Sequence, residues 1–67
     1  MIIVVVNGES QQIEPETSIS HLLESLKLNS RALAVEVNNE LKPRDCHETT
    51  KIKEGDVLEI VTLVGGG

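Results

Sequence analysis

The chain contains no phenylalanine, tyrosine or tryptophan, and only one cysteine, in 67 residues. Each scarcity excludes something. Without aromatic rings there is no stacking platform for nucleic-acid bases, and the core has to be built from Ile, Leu, Val and Ala. Cys46 alone cannot form an internal disulfide, whereas small secreted domains are commonly stapled by several. That points to a reducing, cytoplasmic compartment. No apolar run approaches the length needed to cross a bilayer, and the run Met1–Val6 lacks the basic leader and cleavage site of a signal peptide. Basic residues are also scarce: six Lys and Arg stand against eleven Asp and Glu, for a net charge of −5. Nucleic-acid recognition relies on cationic contacts to phosphate. The expectation is therefore no nucleic acid and no membrane, with basic protein partners favoured.

The chemical inventory is equally thin. Cys46, His47 and His21 do not form the paired spacing of a zinc set, so no metal is expected. Catalytic cysteines need an activating partner. His47 is adjacent in sequence but badly placed to point at Cys46, so Cys46 reads as a plain loop thiol.

What is present is strong patterning. Ile2–Val6 is a β-branched run followed by Asn7-Gly8, a strong hairpin signal. The chain should return as a second strand over about Gln11–Glu14, ended by Pro15. Ile19, Leu22, Leu23 and Leu26 then fall at i, i+3, i+4 and i+7, one face of a helix. Ser18 fits its N-cap and Asn29 its stop. Leu33–Val37 alternates, with Leu33, Val35 and Val37 inward and Glu36 outward. Asn38-Asn39 is a second tight turn, leading to a short strand near Glu40–Pro43. Residues 44–52 read as polar and irregular, and Lys42 and Arg44 as weak candidates for partner contact. Lys53–Asp56 is a turn. Val57–Leu63 is the last strand, with Leu58 and Ile60 in the core and Glu59 in water.

The order ββαββ, loop, β gives a mixed sheet with the helix across one face. The heavily apolar first and last strands place those two adjacent and parallel at its centre. The opposite face keeps apolar alternates, among them Ala34, Val57 and Val61, which marks it as a partner surface. The last strand then runs into Gly65-Gly66-Gly67. Three glycines gain nothing from burial and lose the most backbone entropy on ordering, so either they are a frayed end or something other than this domain reads them.

Four stretches carry a resemblance: "VVVNGE" at 4–9, "SISHLLESL" at 18–26, "LAVEVNNELKPRD" at 33–45 and "IKEGDVLEIVTLVGGG" at 52–67. Together they are similar to the ubiquitin-like β-grasp sulfur carriers, the ThiS-type carriers of thiamin biosynthesis in particular. The resemblance implies an α+β, ubiquitin-like β-grasp over residues 1–64, with a four- to five-stranded mixed sheet and one helix, and a flexible tail at 65–67. It implies that the α-carboxylate of Gly67 is adenylated by an E1-like adenylyltransferase (ThiF-type) using ATP and magnesium, with no cofactor bound by the carrier. Sulfur from a donor protein would then give a thiocarboxylate for a thiazole synthase (ThiG-type). The chain would be a consumed co-substrate and not an enzyme. Gly66 and Gly65 would be read as the tail enters its partners, while Val61 and Ala34 would form the docking surface. Two alternatives share the glycine end: a carrier for the molybdopterin dithiolene, and a ubiquitin-like modifier of lysines.

Overall fold

The computed structural model describes residues 1–28 and 33–62. Its strands are β1 (Ile2–Val6), β2 (Glu9–Ile13), β3 (Leu33–Val37), β4 (Glu40–Lys42) and β5 (Val57–Thr62), with one helix, α1 (Ile19–Ser25). They form a five-stranded sheet in the order β2-β1-β5-β3-β4. β5 is central: it pairs in parallel with β1 and antiparallel with β3. The parallel contact is short, covering Val5↔Val57 and Val6↔Leu58.

Both hairpins are set by asparagine. Asn7 and Gly8 have φ of 50° and 84°, and Asn38 and Asn39 have 54° and 69°. Positive φ at both central positions is the type I′ geometry that matches strand twist, and asparagine tolerates it. Because the first loop has only two residues, Val6 pairs directly with Glu9, and β2 begins earlier than the polar residues after Gly8 indicate. β4 stops at Lys42 because Pro43 has no N–H to give a ladder. The turn Lys53–Asp56 is closed by the Asp56 amide on the Lys53 carbonyl at 3.0 Å, with Gly55 supplying φ of 84°.

Ser18 caps α1, its Oγ accepting from the His21 amide at 3.1 Å. The helix stops sooner than the Asn29 signal indicated, and Asn29 itself lies outside the described residues. Lys27 adopts φ of 60°, its amide donates to Glu24 O, and the Leu28 amide donates to Leu23 O. This is a Schellman closure with lysine where glycine is usual, so the composition gave no sign of it.

The core lies between α1 and one sheet face: Ile19, Leu22 and Leu23 pack over Val4, Val6, Leu33, Val35, Val37 and Leu58, with Ile52 joining from the loop. Leu26 and Ile60 are partly buried against it. The inward and outward assignments in β3 and β5 follow the alternation of the sequence. The loop before β5 is less irregular than its composition indicates. It holds a 3₁₀ turn at Arg44–Cys46, and its backbone reaches α1 through Ile19 N to Thr50 O and Ser20 N to His47 O. No helix of the described residues is long and apolar enough to cross a membrane.

Candidate functional site

The chemistry expected of this chain belongs to Gly67, which follows β5 in the sequence and lies outside the described residues, so the site is built from what holds that strand. On its β3 side the pairing runs from Val37↔Leu58 to Leu33↔Thr62. On its β1 side the ladder ends early, because β1 turns away at Asn7. The Asn7 amide still donates to Leu58 O at 2.9 Å. Beyond that point the Asn7 side chain takes over. Its Oδ1 accepts from the Ile60 amide at 2.7 Å, and its Nδ2 donates to Ile60 O at 3.3 Å. Asn38 acts at the other end of the strand. Its Oδ1 accepts from the Val57 amide at 3.0 Å and its Nδ2 donates to Asp56 Oδ1 at 3.0 Å. The two turn asparagines thus grip β5 from opposite sides and opposite ends.

Among the described residues, no element covers the sheet face away from the helix. Val61 is 54% exposed and Val57 43%, and Ala34 stands directly opposite Val61. Ile3 and Leu41 are exposed as well. Between the apolar residues, Glu36 and Glu59 face each other as register partners, both exposed. Like charges directly opposite in a sheet oppose folding, so the pair does not help the free domain. Lys42 pairs with Glu40 at 3.0 Å on β4, a surface contact worth under about 1 kcal/mol. Arg44 is exposed in the 3₁₀ turn.

Ala34 and Val61, named from the sequence, are therefore neighbours on one surface. Gly65, Gly66 and Gly67 lie outside the described residues. Three further residues were not found by sequence reasoning. Asn7 and Asn38 were legible as turn formers but not as ligands of β5, since their partners are 53 and 18 residues or more away. His47, in the polar loop, is buried. Its Nε2 lies 2.8 Å from the Lys42 carbonyl oxygen, a geometry in which Nε2 carries the proton. Nδ1 is buried with no partner among the described residues. The ring ties the loop to the end of β4, and its Nε2 is committed to Lys42, not to the thiol of half-buried Cys46. A shallow groove of about 330 Å³ beside β2 and α1 is lined by Met1, Ile13, Thr17, His21 and Leu22 among others, and neither Val61 nor Ala34 is among its described lining residues. Among the described residues no group of three His, Cys, Asp or Glu could hold a metal ion.

Comparison with known proteins gives this architecture a family. A model of the ThiS family matches residues 4–67. The sulfur carrier protein ThiS of Bacillus subtilis is 33% identical over 63 residues, covering 92% of this chain and 96% of that one. A thiazole synthase of Paramagnetospirillum magneticum is 38% identical over 64 residues, 96% of this chain but only 20% of that protein, so the chain spans about a fifth of that relative's length. The crystal structure of a thiamine biosynthesis protein (ThiS) from Geobacter metallireducens superposes with a TM-score of 0.83 at 30% identity, covering 98% of this chain and 100% of that one. A β-grasp centred on β5, matched by sequence from β1 to the last residue and by structure to a ThiS, has one assignment: this chain belongs to the ThiS family, the sulfur carriers of thiamine biosynthesis.

Proposed function

We propose that the reacting atom is the α-carboxyl carbon of Gly67 and that the chain carries sulfur there as a thiocarboxylate. The observation that carries this reading is a family match that runs through Gly67 itself. A carboxylate is ionised at neutral pH and is a poor acyl donor. In an E1-like adenylyltransferase with Mg-ATP, a carboxylate oxygen attacks the α-phosphorus, pyrophosphate leaves, and an acyl adenylate forms. Sulfide released by a donor protein adds to the carbonyl carbon and AMP leaves with the bonding pair, so the thiocarboxylate forms with no change of oxidation state. The resulting thiocarboxylate passes sulfur to a thiazole synthase. The stretch similar to this chain inside a thiazole synthase supports that last partnership.

No side chain of the carrier acts on the carboxyl. Residues 1–64 serve as a handle, and 65–67 as a tail that enters each partner. Five residues follow Thr62, a reach of at most about 17–18 Å when extended, enough to leave the sheet and enter a narrow site. Glycine at 65–67 fits a channel with no room for side chains. The bare face carrying Val61 and Ala34 is the docking surface for the E1-like enzyme, and the Glu36–Glu59 pair within it favours a basic partner.

The test is pyrophosphate exchange with a cognate E1-like enzyme and Mg-ATP. Wild-type chain should support exchange, and a sulfur source should then shift the intact mass by the sulfur-for-oxygen difference. Deleting Gly67, or adding one residue after it, should abolish exchange and leave the fold intact. Cys46→Ser should change neither step. Full exchange by the variant lacking Gly67 would withdraw the reading.

A further inference from the structure

We propose that Asn7 is a positioning residue for the C-terminal end of the chain: its carboxamide replaces the stretch of β1 that the turn removes, and so fixes the line along which β5 leaves the sheet. In a parallel ladder one residue donates its N–H to the partner strand and accepts at its C=O from the amide two positions further on. Asn7 does the first with its backbone, on Leu58 O. Its backbone then bends away at φ of 50°, and the second bond is made by Oδ1 on the Ile60 amide at 2.7 Å. Nδ2 adds a contact to Ile60 O at 3.3 Å, the contact that a β1 residue two places further on would have supplied. One side chain therefore prolongs the ladder past the end of its own strand.

The turn alone does not require this. Glycine satisfies positive φ as well as asparagine does. What asparagine adds is a planar group with an acceptor and a donor side by side, the same pair that a peptide unit presents. The carboxamide meets both polar groups of a single residue, Ile60, on the side where β5 would otherwise be bare. Beyond Ile60 the pairs Ala34↔Val61 and Leu33↔Thr62 hold the strand from the β3 side. Among the described residues Ile60 is thus the last point at which β1 and its turn steady the strand, and it lies seven residues before Gly67. The anchoring is read from the sheet; its effect on turnover rests on the chemistry proposed above.

Two substitutions separate the parts. Asn7→Gly keeps the turn and deletes the carboxamide. Asn7→Asp keeps the turn and the acceptor but sets a second oxygen against the Ile60 carbonyl. By amide hydrogen exchange, Asn7→Gly should expose Ile60 about tenfold relative to the change at Val4 and Val35, as loss of a single bond predicts, with Asn7→Asp between it and the wild type. The ps–ns order parameters of the Val61 and Thr62 amides should fall in Asn7→Gly. With the E1-like enzyme, kcat for adenylation should drop about tenfold while KM stays within about twofold, because the docking face is intact and delivery of the tail is not. Uniform protection changes, or unchanged order at Val61 and Thr62, would overturn the anchoring. Unchanged kcat in Asn7→Gly beside an active wild type would overturn the positioning role and leave the chemistry standing. An inactive wild type would instead remove the chemical reading, and the two spectroscopic measurements would still decide what Asn7 does.

Discussion

Leu58 and Val61 lie on the same strand and have opposite surroundings. Leu58 is fully buried beneath α1, while Val61 is 54% exposed on the bare face. The difference is parity: successive side chains of a strand point to opposite faces, and only one face is covered by a helix. Both faces of β5 carry aliphatic residues, so hydrophobicity cannot mean the same thing on each. On the covered face it builds the core. On the bare face it contributes little to the free domain and is available to a partner. If the bare face is the docking surface proposed above, substitutions on the two faces should separate stability from recognition.

The largest effect belongs to the covered face. Leu58→Ala should destabilise the domain by about 2–5 kcal/mol through lost transfer energy and a residual cavity. In a chain this small that is a large part of the total, and chemical denaturation will measure it. Comparable stability in the variant would mean that Leu58 is not a core residue. Next is Val61→Asp on the bare face. It should weaken docking on the E1-like enzyme by at least about tenfold, by placing an unpaired charge in a desolvated interface. It should cost the free domain only about 1 kcal/mol or less of strand propensity. An unchanged affinity by titration calorimetry would move the docking surface elsewhere.

The smallest effect is the most diagnostic of division between the faces. Glu59→Gln removes one of two carboxylates that stand directly opposite each other. It should stabilise the free domain by about 0.2–1 kcal/mol, with the gain shrinking as salt screens the pair. The same change should weaken association with a basic partner. A variant that is both more stable and a better binder would show that the pair serves neither role.

The legibility of the molecule follows the range of the forces involved. The stripe Ile19, Leu22, Leu23 and Leu26 and the alternation of Leu33–Val37 are local periodicities, and a period can be read without knowing what lies opposite. Asn7-Gly8 and Asn38-Asn39 announced their turns because positive φ restricts residue choice within the loop itself. The surface pair Ala34 and Val61 was legible because an apolar residue at an outward parity is conspicuous. Lys27 and His47 were not legible. The helix ends on a left-handed lysine because two amides find carbonyls one turn back, which no composition rule favours. His47 is buried among residues that read as polar loop, because its Nε2 meets a backbone carbonyl on β4, and carbonyls are present everywhere in a sequence.

By itself, then, the sequence determined the order of the elements, the inward faces of β3 and β5, and a glycine end at 65–67. All of these follow from local chemistry: side-chain period, backbone restriction at turns, and the absence of side chains at 65–67. Only the tertiary structure decided which strand lies beside which carboxamide. The grip of Asn7 on Ile60 and of Asn38 on Val57 depends on β5 passing between two hairpins formed far from it in the chain. A hydrogen bond between residues 53 positions apart has no local signature, because its geometry exists only once the sheet has assembled.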